Sequence, residues 1–459
     1  MESEKVSTIS KPFWVDNNKI KIVLALALPA MVENMLQVLI GVVDAYFVSR
    51  LGTEAIAGVG ITNLIMNIYI AFFIAIGVGT TAIVARNIGA GDTESANHSV
   101  KQSIILSLGI GLISGIINLL FSRRLFLLLG AEERVIEYAL PYFLIVAVPS
   151  VFLCVMMVLS SSLRGSGDTK TPMKVGLAAN AINAVLDYVL IFGVFNFSGF
   201  GIIGAALATT ISRIVGVVIL LIKLNDKKSK VSVKIKDKWK IDKKAIKSIT
   251  KIGLPAAIEK LIMRTGQLVY SGMIIKIGTE AYAAHSIAGT IESFSYLPGV
   301  GFAIAASTLV GQNLGAEKPE EAKSYGLISN FLSTIFMVVV GGIFYIFAPA
   351  LAGIFTKDVE VSILVVKVLR IIALFQPFLC ITFVITSALQ GAGDTKFPMY
   401  STLIGIWGVR VLGVYFLGIV LNMGLVGVWI AYAFDIFIRG IILMSRFMKG
   451  KWKEIKIET

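Results

Sequence analysis

The chain has 459 residues, of which 56% are apolar and 15% charged, with a mean hydropathy of +0.84. Soluble domains carry about 25% charged residues, and the apolar residues here come in long runs rather than at amphipathic spacing, which excludes a soluble globular fold. The net charge of +14 raises the question of nucleic acid, but the charge is in the wrong place for it: Lys and Arg crowd the termini and alternate loops, with twelve between Lys223 and Lys251.

A bilayer is crossed by roughly 20 apolar residues in a helix. Twelve such stretches are predicted, at about 20–47, 54–80, 99–121, 135–163, 173–195, 201–223, 246–276, 282–310, 322–347, 359–389, 397–420 and 424–447. The expected fold is therefore all-α and polytopic, with twelve transmembrane helices. Residues 1–19 are polar and Ile20 opens a full-length span, so no cleavable signal is expected. The excess of Lys and Arg in alternate loops places both termini and the central loop in the cytoplasm. Cys154 and Cys380 both lie mid-span among apolar residues and imply no disulfide.

The first stretch sets the functional question. Asn34, Gln37, Gly41 and Asp44 are spaced three, four and three apart and share one helix face. A carboxylate inside a spanning helix is expensive to bury and marks a candidate functional site. Pro29, in the same stretch, lacks an N–H and predicts a hinge.

Further along, the chain repeats itself. Leu28-Pro29-Ala30 with Glu33 matches Leu254-Pro255-Ala256 with Glu259, and Gly52-Thr53-Glu54-Ala55 matches Gly278-Thr279-Glu280-Ala281. Asn87, Gly89 and Ala90 match Asn313, Gly315 and Ala316, and Gly165-x-Gly167-Asp168-Thr169-Lys170 matches Gly391-x-Gly393-Asp394-Thr395-Lys396. Each pair is 226 residues apart, the two cysteines included, and the offset falls to 223 where Gly204 aligns with Gly427. The expected organisation is a cytoplasmic N-terminus (1–19), an N-terminal six-helix lobe (20–223), a basic cytoplasmic linker (224–246), a C-terminal six-helix lobe (247–447) and a cytoplasmic C-terminus (448–459). The lobes should be pseudo-symmetric bundles about an axis along the membrane normal, with substrate bound between them. In the Gly-Asp-Thr-Lys turns, Asp168 and Asp394 are expected to cap the helices that follow. No Walker pattern is present. Gly111 and Gly115 predict a close helix contact.

The intramembrane polar residues do not obey the offset. Asp44 falls on Tyr270, Asn183 on Val409, Asp187 on Gly413 and Thr209 on Tyr432. Asn180, Asn183 and Asp187 share a face of the fifth stretch. Asp44, Asp187, Asn183 and Thr209, two carboxylates, an amide and a hydroxyl, offer only oxygen-type ligands, which suit a hard cation such as Na⁺ and equally suit a proton; Asn180 is a further candidate cavity residue, and a polar packing network is the bland alternative. The second half has its own candidate cavity residues in Glu259, Arg264, Gln267, His285 and Glu292, and Asp435 with Arg439 at i, i+4 reads as a structural pair.

The duplicated Leu-Pro-Ala start, the Leu163-Arg164-Gly165-x-Gly167-Asp168-Thr169-Lys170 turn and Asn183-x-x-x-Asp187 resemble the MATE family, multidrug and toxic compound extrusion transporters, over nearly the whole chain. The resemblance is to the DinF-like branch, since Met263 stands where NorM-type members carry a further acid. It implies export of cationic or amphiphilic organic compounds in exchange for H⁺ or Na⁺ by alternating access, with Asp44, Asn183, Asp187 and Thr209 as the ion site and Pro29 as the hinge. It further implies small organic substrates, the lipid bilayer as surroundings and a monomer in the cell (inner or plasma) membrane, with no cofactor beyond the coupling ion. A lipid-linked oligosaccharide flippase of the wider superfamily is the competing reading. No HExxH or GxSxG motif supports a membrane enzyme, and a dependence of flux on an ion gradient would separate antiport from a passive channel.

Overall fold

A computed structural model describes residues 16–194, 197–226, 229–234 and 239–457. Among these residues, nine helices are each long and apolar enough to cross a membrane, and two bent helix pairs bring the number to eleven. The remaining span is Lys243–Ile277, a helix of 35 residues whose apolar run is interrupted by Glu259, Lys260, Arg264 and Gln267. In chain order the twelve spans are Asn17–Ser49, Thr53–Gly89, Thr93–Leu128, the pair Glu133–Ala147 and Ser150–Gly165, Lys170–Phe192, Ile202–Leu224, Lys243–Ile277, the pair Thr279–Ser293 and Tyr296–Gly315, Pro319–Phe355, Val359–Gly391, Lys396–Val420 and Gly424–Lys449.

Several spans outrun the predicted stretches, and carboxylates at their starts explain why. Asp16, Asp92, Asp242 and Asp358 each accept hydrogen bonds from backbone N–H groups of the first turn, which starts the helix before the apolar run begins. Asp168 does the same for Thr171, at 2.9 Å. Its counterpart Asp394 does not behave as expected. Its carboxylate turns to Arg446 of the twelfth span, 2.9 Å away, because that guanidinium reaches the turn and offers a charged partner.

Spans one to six and seven to twelve form two bundles, each with its own buried apolar clusters. Within the first, a Cβ at Gly111 would lie 2.5 Å from the Val151 backbone and one at Gly115 would lie 2.3 Å from the Val148 carbonyl oxygen, so the predicted contact is present. The fall in offset also has a structural cause. The first half joins its fifth and sixth spans by a two-stranded antiparallel hairpin, Gly193–Val194 with Phe197–Ser198. The second half passes from Val420 to Gly424 in a tight turn.

The bundles touch at one end, through pairs of contacts that exchange under the same offset. A Cβ at Gly89 would lie 1.8 Å from the Gln312 carbonyl oxygen, and one at Gly315 would lie 1.9 Å from that of Arg86. Gly253 approaches the Ala75 carbonyl as Gly301 approaches that of Ala27. Only glycine permits backbones this close. Thr308 Oγ1 donates to the Arg164 carbonyl at 3.0 Å, Gln312 Nε2 to the Gly165 carbonyl at 2.9 Å, and Lys19 pairs with Glu321 at 2.7 Å, all at this same closed end.

Symmetry is broken inside the spans. The second span is one helix, but its counterpart, the eighth, bends by 46° near Phe294. Pro298 follows the bend and has no N–H to give to the Phe294 carbonyl, whereas Phe72 stands at the equivalent place. The eleventh span is π-helical over Ile404–Val411 and Val414–Val420, while the fifth is α-helical throughout.

Candidate functional site

The first-lobe site is assembled around a break in the fourth span, which bends by 41° between Ala147 and Ser150. Pro149 cannot donate to the Ile145 carbonyl, and the bend leaves nearby carbonyls open. Side chains from other spans take them. Thr210 Oγ1 donates to Ile145 at 2.8 Å, Arg213 Nη1 to Val146 at 3.4 Å and Asn118 Nδ2 to Ala147 at 3.1 Å. The second of these bonds helps position Arg213 where its charge acts on Asp44.

Asp44 and Asp187 lie close enough to act on each other electrostatically. Tyr142, buried in the fourth span, feels both carboxylates and Arg213. Asn183 and Asp187 are buried. Asp44 Oδ1, Asp187 Oδ2, Asn180 Nδ2 and Asn183 Nδ2 are all sequestered and have no hydrogen-bond partner among the described residues. Leaving such a group unpaired costs about 1–3 kcal/mol, so these four, on the first and fifth spans, each call for a partner that the described residues do not supply. The donor set of two carboxylates and two amide side chains fits Na⁺ or a proton with water. With both carboxylates ionised, the single guanidinium leaves the site one positive charge short of neutral.

Thr209 is half-buried one turn before Arg213, and none of the described hydrogen bonds joins it to the carboxylates. Asn34 spends its amide on the Ala30 carbonyl at 2.7 Å. Gln37 and Gly41 are exposed, and nothing lies within 4 Å of a Cβ built on Gly41. The polar face predicted for the first span thus divides: Asp44 joins the site and Gln37 faces outward. Pro29 lies inside an unbroken helix.

The second-lobe candidates Glu259, Arg264, Gln267, His285 and Glu292 all line one cavity of about 810 Å³. Glu292 is buried and accepts from Tyr432 at 2.7 Å, and the Tyr432 and Tyr296 hydroxyls meet at 3.1 Å. His285 packs edge-on against Tyr270 and Trp429. Asp435 pairs with Arg439 at 2.7 Å as expected, and also with Arg410 at 2.5 Å. The Arg410 guanidinium lies 3.9 Å from the Tyr432 ring centroid. Glu33 and Glu259 hold equivalent places with different partners: Glu33 accepts from Arg164 at 2.5 Å, and Glu259 accepts from Gln390 at 3.0 Å and Thr402 at 3.3 Å.

Two participants escaped the sequence reading. Arg213 was visible as an in-span cation four residues after Thr209, and Pro149 marked the bend that helps place it.

A model of the MatE family matches residues 29–189 and 255–416, one copy in each half. The chain belongs to the MATE family. A relative from Thermotoga maritima, a probable multidrug resistance protein NorM, is 35% identical over 445 residues, which cover 96% of this chain and 94% of that one. A MOP superfamily transporter from Pyrococcus furiosus, described as having a binding pocket of reverse polarity that suggests a different function, superposes with a TM-score of 0.88 at 26% identity, covering 95% of this chain and 97% of that one. A multidrug resistance MATE transporter in an outward-facing conformation gives a TM-score of 0.87 at 26% identity, covering 94% and 97%. Both agree with the twelve-helix, two-bundle MATE architecture described above, and the chain is a membrane transporter of this family.

Proposed function

We propose that this MATE transporter exports cationic or amphiphilic organic compounds in exchange for H⁺ or Na⁺, by alternating access between its lobes, as a monomer in the cell membrane with both termini cytoplasmic. The observation that carries the reading is the Asp44–Asp187 pair with its two unpartnered oxygens and one nearby guanidinium, on a helix whose Asn180 and Asn183 amides are also unpartnered. One monovalent cation completes its charge. Asn183 and Asn180 orient that cation, and Thr209 lies on the helix that brings Arg213. Under the positive-inside orientation the closed end is cytoplasmic, so the lobes are open to the outside. Asp44 is 15 residues from Pro29, roughly 22 Å along a helix at 1.5 Å per residue, so loading the site can move the outer part of the first span about that proline. The role is transport rather than catalysis. Met263, lining the second-lobe cavity, is apolar, which supports the DinF-like branch.

Substrate is bound in the second-lobe cavity, where Glu292 among Tyr296, Tyr432 and Trp429 suits an organic cation. One observation favours a second reading, transport of a bulky anionic compound such as a lipid-linked oligosaccharide: Lys260, Arg264, Arg410 and Arg439 outnumber Glu259 and Glu292 in the lining. Proteoliposomes with independently imposed Na⁺ and pH gradients test the proposal. Efflux of an organic cation that follows one gradient supports it, and gradient-independent movement of an anionic glycolipid overturns it.

A further inference from the structure

A second concavity, of about 520 Å³, lies on the outer surface of the second lobe, between the seventh and eleventh spans at the closed end. Its lining is Lys243, Ile246, Lys247, Thr250, Lys251, Leu254, Pro255 and Lys396, four lysines and no acid. Along the seventh span the exposed residues run Lys243, Lys247, Lys251, then Leu254 and Ile258, at steps of three and four that keep them on one face. Along the eleventh they run Lys396, Tyr400, Leu403, Ile404 and Trp407. Both walls therefore change in the same direction, from cationic at the helix ends to apolar further in, with Tyr400 and Trp407 on the eleventh-span side. That gradient matches the depth profile of one phospholipid: an anionic headgroup among the ammonium groups, an acyl chain against the apolar walls.

The equivalent place in the first lobe offers a built-in comparison. At the 226-residue offset, Lys243 and Lys251 become Asn17 and Ala25, Lys247 and Lys396 become Lys21 and Lys170, and Tyr400 becomes Lys174. The packing of the spans is shared, but the three lysines along the seventh-span wall fall to one on its first-span counterpart.

We propose that the groove between the seventh and eleventh spans is a binding site for an anionic phospholipid. It depends on the chain crossing a bilayer and not on what is transported. The site joins the two spans at the end where the lobes meet, so an occupied site ties the seventh span to the eleventh.

The test uses the purified full-length transporter and native mass spectrometry, titrating phosphatidylglycerol and phosphatidylcholine of the same acyl chains. Each lysine near a headgroup contributes about fivefold in affinity. The triple variant Lys247→Gln/Lys251→Gln/Lys396→Gln should therefore lose phosphatidylglycerol affinity by about 10²-fold, while Lys21→Gln/Lys170→Gln leaves it within about twofold of wild type. The triple Lys→Arg variant keeps the charge and should keep the preference, which separates lost binding from misfolding. Equal affinity for the two lipids overturns the proposal, as does an equal effect of the first-lobe and second-lobe variants. Glycerol phosphate that displaces the lipid at equal concentration would also overturn it, assigning the lysines to a soluble phosphate.

Discussion

Gly315→Ala is the sharpest probe of how the lobes close. The new Cβ would lie 1.9 Å from the Arg86 carbonyl oxygen, where ordinary contact begins near 3.4 Å. The oxygen belongs to a helix backbone and cannot rotate away, so the lobes must part by about 1.5 Å at that point. The hydrogen bonds from Thr308 and Gln312 to the other lobe, 3.0 and 2.9 Å long, then stretch past useful range. Two such bonds at about 1 kcal/mol each, with the dispersion contacts around them, give about 3 kcal/mol, a shift of roughly 10² toward the separated arrangement. Spin labels on exposed Lys170 and Lys318 would report the distance across the closed end. Both cysteines are buried, so labels on introduced cysteines should be specific. The short-distance population should fall and transport should slow by a similar factor. Gly89→Ala, whose Cβ meets Gln312 at 1.8 Å, should do the same. Unchanged distances with transport within twofold of wild type in both variants would refute the reasoning.

Asp187→Asn and Asp44→Asn should each abolish gradient-driven efflux in proteoliposomes while substrate binding, followed by calorimetry, persists; active efflux by Asp44→Asn would reduce that residue to packing. Arg213→Met should raise the number of cations exchanged per substrate by one, read from the reversal potential, because the site loses its internal positive charge. Pro29→Ala should leave ion binding within about threefold but slow export at least tenfold, since it restores the backbone bond that the first span lacks; equal rates would remove the hinge. At the membrane edge, the hydrogen bond from His98, together with the N–H groups of Ala245 and Lys244, holds the Asp242 carboxyl below its ordinary range. A lowered carboxylate contributes stability above its unfolded value and loses it as the pH falls through the folded one. The melting difference between wild type and Asp242→Asn should therefore be full at pH 7, well above the ordinary carboxylate value of about 3.9, and shrink as the pH falls below that value.

The fold was legible because two coarse signals carry it: long apolar runs and one offset repeated across separate motifs. The repeat also foretold which residues would exchange across the pseudo-axis, Gly89 and Gly315 among them, though not that they would meet each other's lobe. Bends were harder to read. Pro149 and Pro298 break their spans, but Pro29, Pro255 and Pro377 sit inside continuous helices, so proline alone does not separate a kink from a tolerated gap. In the site, Asp44, Asn183 and Asp187 stood out because polarity on one face is conspicuous in an apolar helix. Arg213 did not, because its place depends on a carbonyl that only the bent fourth span exposes. Asp394 shows the limit of arguing by repeat, since an identical motif took a different partner once Arg446 was within reach.

The π-helical stretch of the eleventh span changes what equivalence between the halves means. A π turn accommodates an extra residue and slips the side chains beyond it around the axis. Val409 and Gly413, which match Asn183 and Asp187 by number, therefore need not match them by direction, and it is Arg410 that turns inward to Asp435. The two ends of the span remain fixed by their turns while its inward face is dealt afresh. One lobe of a duplicated transporter can in this way acquire a different interior without disturbing the joints by which it moves.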